Sequence, residues 1–229
     1  MNILYEDNHV LVVEKPPNVP VQADESGDMD LLNMGKAYIK EKYQKPGAVY
    51  LGLVHRLDRP VGGILVLART SKAAKRLTED IQKKRWKKQY LAVTEGRPPE
   101  DMELEDYLIR DTKTHSSNVT EWKNPAGKWA RLTFSCLERR AGLNVLKIDL
   151  DTGRHHQIRV QLASRGWPIW GDARYNANSQ AGEQIALWAY HMMILHPTKR
   201  EPMEWINIPK MIDPWNQFAL WSEFDNDLK

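Results

Sequence analysis

The chain of 229 residues has one cysteine, Cys136. A single thiol excludes an internal disulfide and a cysteine-rich zinc site, and it suits a reducing compartment, so a cytoplasmic protein is expected. No apolar run approaches the roughly 20 residues that cross a bilayer, and no membrane partner is expected. Met1 leads into Asn2-Ile3-Leu4-Tyr5-Glu6-Asp7, not into a basic and then apolar leader. Repeats and low-complexity segments are absent. Phenylalanine is scarce, with three residues against nine tryptophans, an excess assigned to packing. Net charge is also small, at +3, too little to demand or exclude a nucleic-acid partner. What is present is ordinary for a globular protein: 41% hydrophobic and 28% charged residues. A chain of this size buries about 70% of its unfolded surface, enough for a sizeable core.

The small total hides a segregation. Arg69 to Arg97 holds ten Lys or Arg against three acids, Glu79, Asp80 and Glu95. Glu100 to Asp106 then holds five acids and no base, and the C-terminus is acidic at Glu223, Asp225 and Asp227. A basic stretch of this density reads either as a footprint for phosphate or as a solvated helix face.

Periodicity predicts a hairpin from Ile3-Leu4-Tyr5 and Val10 to Val13 around Asp7-Asn8. A helix from Asp30 as N-cap to about Tyr43 follows, then a strand over Ile64 to Ala68. A second helix, capped by Ser71, is predicted to run to about Lys84 with Ala73, Leu77 and Ile81 as its apolar stripe. Tyr90 to Val93 reads as a strand. Alternation over 118–122, 130–136 and 143–150 predicts an antiparallel meander. A helix from about His155 to Ser164 is expected to stop at Gly166. The run 185–196 fits strand or helix, Met203 to Ile208 reads as a strand, and a short helix is expected over 214–221. Strands outnumber helices, so the class is α+β with a mixed, mostly antiparallel central sheet flanked by helices.

Three clusters carry polar side chains suited to chemistry. In His55-Arg56-Leu57-Asp58, an acid between Arg56 and Arg59 is expected to stay ionised, as a possible nucleophile or as a structural ion pair beside a tight turn. Gly62-Gly63 after it allows close approach of a ligand or unusual dihedrals. In Lys88-Gln89-Tyr90, the ring either packs in the core or stacks on a base. In Asp151-Thr152-Gly153-Arg154-His155-His156-Gln157-Ile158-Arg159, a turn sets polar groups at a helix start, where the dipole favours anions. Adjacent histidines on a helix point about 100° apart and do not share one ion, so no metal is expected. His191 and His196, and the tryptophans Trp167, Trp170, Trp188 and Trp205, read as core residues.

In order along the chain, these clusters resemble the RluA-type pseudouridine synthases. The resemblance runs from Lys15-Pro16 through His55-Arg56-Leu57-Asp58, Gly63-Ile64-Leu65-Val66, Tyr90-Leu91-Ala92-Val93 and Thr152 to Arg159. It continues through Pro168-Ile169-Trp170-Gly171-Asp172-Ala173-Arg174-Tyr175 and Ala186-Leu187-Trp188-Ala189 to His196-Pro197-Thr198. It implies a pseudouridine synthase fold with a cleft across the sheet, acting without cofactor or metal on a uridine already in RNA. Asp58 is then the catalytic aspartate, attacking the ribose C1′ or abstracting the 2′ proton. Arg154 is its ion-pair partner, and Tyr90 stacks on the uracil. Arg56 helps hold the target nucleotide out of its helix. Further RNA contacts are expected from His55, Arg59, Lys15, Lys84, Arg85, Lys87, Lys88 and Arg159. The family's hydroxyl before the glycine is missing at Val61-Gly62, which bears on loop rigidity. Many relatives carry an N-terminal S4 domain; none fits before Ile3, so residues 1–229 are expected to form one catalytic domain. The partner is structured RNA, a stem-loop of rRNA or tRNA, with no DNA expected and a monomeric protein. A non-enzymatic RNA-binding protein would explain the bases and aromatics but not Asp58, Tyr90 and Arg154 together. A glycoside hydrolase would need a second carboxyl about 5 Å from the first, for which only Asp151 is at hand.

Overall fold

The computed structural model describes residues 1–180 and 182–221; the acidic Glu223, Asp225 and Asp227 lie outside the described residues. In chain order the elements are β1 (Asn2–Glu6), β2 (Val10–Lys15), α1 (Leu31–Lys42), β3 (Gly52–Leu53), β4 (Gly62–Ala68), α2 (Ser71–Gln82) and β5 (Lys87–Thr94). Then come β6 (Asp101–Asp111), β7 (Ser116–Thr120), β8 (Lys128–Arg140), β9 (Leu143–Leu150), α3 (Gln157–Ala163), β10 (Leu187–Leu195) and β11 (Pro202–Ile206). The chain divides into two compact units, residues 1–87 with 189–208, and residues 88–188 with the segment from 209 onward.

In the first unit the strand order is β1-β2-β4-β10, with β3 added to β4 and β11 to β10. Asp7 makes the β1–β2 turn by accepting from the backbone N–H groups of His9 and Val10 at 2.7 and 2.8 Å. β2 and β4 pair antiparallel, from Val10 with Ala68 to Lys15 with Gly63. Both strands are buried along nearly their whole length because a helix covers each face. Ala73 and Leu77 of α2 pack with Val10, Val12, Ile64, Val66 and Trp86. On the other face, α1 brings Gly35 against Leu11 and Leu67. Burying Leu77 alone contributes roughly 2 kcal/mol. Asp30 caps α1 as the sequence indicates, accepting from Asn33 N at 2.9 Å. α2 is capped by Thr70 instead of Ser71, through Oγ1 and the N–H of Ala73. Either hydroxyl fits a cap; Thr70 holds the extended backbone that a cap needs.

In the second unit the order is β5-β9-β8-β6-β7, antiparallel throughout. The predicted meander is corrected here by β6. The acidic run does not alternate by polarity at its start, yet it forms an eleven-residue strand between β7 and β8. α3 begins at Gln157, not His155, because His156 takes a left-handed conformation at φ 55°. It ends as expected at Gly166, φ 77°, where Trp167 N bonds to Leu162 O. The ambiguous run 185–196 contains β10. In place of a helix over 214–221, Trp215–Gln217 make one 3-10 turn. The Glu138 carboxylate takes the N–H groups of Ala219 and Leu220, and a side chain thus supplies the bonds a longer helix would have made. Among the described residues, no helix is long and apolar enough to cross a membrane.

Candidate active site

The loop from Val54 to Val61 alternates its side chains. Leu57 is buried, Arg56 and Arg59 are exposed, and Asp58 between them is half-buried. Its backbone closes a turn, with Val61 N donating to Asp58 O at 3.0 Å. Three devices hold it. His55 turns inward, its Nε2 accepting from Val66 N at 2.9 Å and its ring edge-on to Trp86. Arg59 is clamped by the 18–28 loop, donating to Asn18 O, Asp24, Ser26 and Asp28.

Lys15 is the third device. At the end of β2 it is fully buried, and its Nζ donates to Pro16 O at 2.9 Å and to Arg59 O at 2.8 Å. Burial pulls its pKa from 10.5 down to about 7, against the attraction of the Asp58 carboxylate and with the repulsion of Arg59. Lys15, expected among the RNA contacts, is therefore an interior residue that supports the loop carrying Asp58, and His55, half-buried, packs beside it against Trp86 and Val66 N. The Arg59 guanidinium is engaged with Asp24 and Asp28 of the 18–28 loop.

Gly63 takes φ +114°. A Cβ there would fall 2.7 Å from Ala189 N and closer still to its carbonyl oxygen. The sequence admits a ligand as the reason for this glycine; within the first unit, the backbone at Ala189 is the reason.

In the second unit, Tyr90 lies on β5 opposite Ile148, with 7% of its surface exposed. Two residues earlier, Lys88 has its pKa lowered by burial, opposed by Asp151. The 151–154 loop folds onto one buried amide. Gln157 Oε1 accepts from Thr152 Oγ1 at 2.7 Å and from Arg154 N at 3.0 Å, while its Nε2 donates to Arg131 O. Arg154 is exposed and its Nε donates to Trp129 O at 2.8 Å. Arg159 is the buried arginine of this motif. It makes a two-point pair with Asp172, Nε to Oδ2 at 2.8 Å and Nη2 to Oδ1 at 2.6 Å, with its guanidinium over the Tyr175 ring. The sequence places Arg159 among the RNA contacts; a side chain 6% exposed and paired in this way is an interior charge.

The adjacent histidines also differ from expectation. Because His156 is left-handed, the two rings stack at 3.8 Å instead of diverging. His155 Nδ1 meets Ser117 Oγ at 2.9 Å and His156 Nδ1 meets Tyr175 OH at 2.9 Å. His191 and His196 are buried as expected, paired with Glu204 and Asp7. Of the four tryptophans read as core, Trp188 is buried and Trp167, Trp170 and Trp205 are half-buried. Among the described residues, no group of three or more His, Cys, Asp or Glu is arranged to hold a metal ion.

Of the basic stretch, Lys83, Lys84, Arg85 and Lys87 are exposed in the first unit. Asp80, which sequence reasoning counted only as an offset to charge, is buried beneath them and binds Arg85 and Arg200. An acid one helical turn before a run of bases is the signal that could have marked it; Arg200 lies too far along the chain to be found so.

Residues 9–164, which include the Asp58 loop, Tyr90 and the Thr152 to Arg159 motif, match the family described as RNA pseudouridylate synthase. The chain belongs to this family. A relative from Aquifex aeolicus, named an uncharacterized RNA pseudouridine synthase, is 34% identical over 220 residues, covering 89% of this chain and 67% of the relative. A ribosomal large subunit pseudouridine synthase D from Nitrosomonas europaea is 32% identical, covering 90% and 61%. The chain thus spans about two thirds of the length of the curated relatives it matches. Human RNA pseudouridylate synthase domain containing 4 superposes with a TM-score of 0.77 at 19% identity, covering 92% of this chain and 89% of the human one, which shows the pseudouridine synthase fold.

Proposed function

We propose that this pseudouridine synthase isomerises uridine within structured RNA, with Asp58 as its essential carboxylate. The observation that carries the reading is the Asp58 loop: a half-buried acid next to a carbonyl, Arg59 O, that a buried lysine holds, inside the segment that matches the family. Fixing the carboxylate in this way lowers the cost of presenting it to a ribose. Attack on C1′ and abstraction of the 2′ proton both use an ionised acid. In either case the departing uracil gains negative charge, which a cation stabilises.

Tyr90 is proposed as the ring that stacks on uracil. The target base must leave its stack, at a cost of about a few kcal/mol, which phosphate contacts offset. The substrate is proposed to be a stem-loop of rRNA or tRNA, and the compartment the cytoplasm. Both units are proposed to act as one catalytic domain. Of the two arginines in the third motif, Arg159 has the burial that a charge-holding role requires, and Arg154, the expected ion-pair partner, does not. Arg159→Lys should cost more turnover than Arg154→Ala.

The test is release of tritium from C5 of uridine in labelled RNA. Asp58→Ala should abolish release while RNA still binds. Release at the wild-type rate refutes the role of Asp58. No release by the wild type from bulk rRNA or tRNA, with binding intact, would favour a non-enzymatic RNA-binding protein.

A further inference from the structure

We propose that the first unit carries a phosphate-binding pocket at the end of α2, which takes a backbone phosphodiester of the RNA. This rests on the RNA reading above and gives it a site. The cavity has a volume of about 320 Å³ and is lined by Arg76, Lys83, Arg85 and Arg200, with Thr198 and the acids Glu79 and Asp80. Four cations against two carboxylates leave an excess of positive charge, which suits a singly charged phosphodiester.

The pocket is built, and its bases are not a loose surface cluster. α2 ends with Lys84 left-handed at φ 53°, Lys84 N bonding to Ile81 O and Arg85 N to Asp80 O at 2.9 Å. This reversal usually takes glycine. Here it brings the Arg85 side chain back onto the Asp80 carboxylate, Nη1 to Oδ1 at 3.1 Å. Arg200 is also left-handed, at φ 66°, and pairs with both oxygens of Asp80 at 2.7 and 3.0 Å. The turn before it is set by His196, whose Nδ1 accepts from Thr198 N and Lys199 N. Asp80 is 2% exposed, and the hydrogen bond from Arg200 leads the interactions that hold its pKa below the usual carboxylate range.

Two guanidinium groups are thus fixed at one buried anion while their outer parts stay in solvent, 46% exposed for Arg85 and 40% for Arg200. A guanidinium has five N–H donors. The pair with Asp80 uses two of those on Arg200 and one on Arg85, and Arg76 gives one to Pro197 O. The other donors, with the Lys83 ammonium and the Thr198 hydroxyl, match the acceptor oxygens of a phosphate. Lys84 and Arg200 thus hold two separate turns in a left-handed conformation that side chains other than glycine rarely adopt, and each turn sets an arginine on Asp80.

The experiment uses the full chain with Arg76→Gln and Lys83→Gln together, which leaves the Asp80 pairs intact. Inorganic phosphate is titrated against the wild type while the backbone amides of Thr198 and Arg200 are followed by NMR. RNA affinity is measured over a range of salt. The expected result is a saturable shift with phosphate that the double variant loses, a 3- to 10-fold weaker RNA complex, and a salt slope smaller by roughly 0.7 to 0.9 for the lost contact. The single-turnover rate at saturating RNA should be unchanged, which separates this pocket from the chemistry at Asp58. Unchanged RNA affinity and slope would overturn the proposal. If the variant loses phosphate binding yet keeps RNA affinity, the pocket serves a free anion and the RNA assignment is overturned. If the wild type binds RNA through this pocket but never releases tritium, the catalytic reading fails and the pocket stands.

Discussion

Lys15→Met removes a charge from beneath the Asp58 loop while keeping the apolar stem that fills the same space. In the folded chain Lys15 is fully buried and releases its proton near pH 7, while in the unfolded chain it holds that proton to 10.5. Between those values the unfolded state binds more protons, so the lysine makes stability rise with pH. Each pH unit is worth ~1.4 kcal/mol, and between pH 6 and pH 9.5 the wild type should gain about 3 kcal/mol from this group. The variant lacks that gain. It also leaves Pro16 O without its donor, at about 1 to 3 kcal/mol, while Arg59 O keeps the N–H of Asn18; that loss does not vary with pH and drops out of the slope. Urea unfolding of both proteins at pH 6, 7.5 and 9.5 gives the difference directly. The gap in favour of the wild type should widen by about 3 kcal/mol across the series. Parallel pH profiles would refute the argument, since they would mean that the Asp58 carboxylate keeps the buried lysine charged. Asp58→Asn removes that attraction and should move the widening to lower pH.

Gly63→Ala should destabilise the protein by at least ~3 kcal/mol, because it adds both a strained φ and a clash with the Ala189 backbone; a small change in urea midpoint would show that β4 moves easily. Arg159→Ala leaves Asp172 buried without its partner and should cost about 3 to 5 kcal/mol, while Arg154→Ala, on an exposed side chain, should cost under about 1 kcal/mol; thermal unfolding of the two ranks them. Asp7 is pushed up by burial but held below the usual carboxylate range by the Val10 and His9 amides and by His196. Its contribution is present above the ordinary carboxylate pKa and lost as pH falls through the folded one, so the stability gap between wild type and Asp7→Asn should shrink as pH is lowered from 7 to 3.

How far the sequence could be read depended on whether the cause of each feature was local. The N-cap at Asp30, the stripe Ala73-Leu77-Ile81 and the stop at Gly166 are set by residues within one or two turns, and they were legible. β6 was not, because its early residues Asp101, Met102 and Glu103 are all exposed and show no buried face from which to read a period of two. Its identity comes from pairing with β8 on one side and β7 on the other. The site divides in the same way. The order of His55, Asp58, Tyr90 and the Thr152 motif marks the family. The inward turn of His55, the burial of Lys15 and the exchange of burial between Arg154 and Arg159 depend on partners as distant as Val66, Arg59 and Asp172, which no spacing along the chain reveals.

The charge segregation shows what folding does with such a pattern. The acids after Glu100 meet bases of their own unit: Glu100 pairs with Arg139, Glu103 and Glu105 with Arg131, and Asp106 with Arg165. Four of the five acids in the run are therefore engaged by bases of their own unit and not by the basic stretch that precedes it. Within the basic stretch Asp80 acts as a buried anchor that fixes Arg85 and gathers Arg200 from over a hundred residues away. Its charge is spent holding two guanidinium groups in place, which leaves the donors on their outer edges, with Arg76 and Lys83, as the positive surface. The chain's net charge of +3 hides this local excess of bases at the end of α2, where a phosphodiester can reach them.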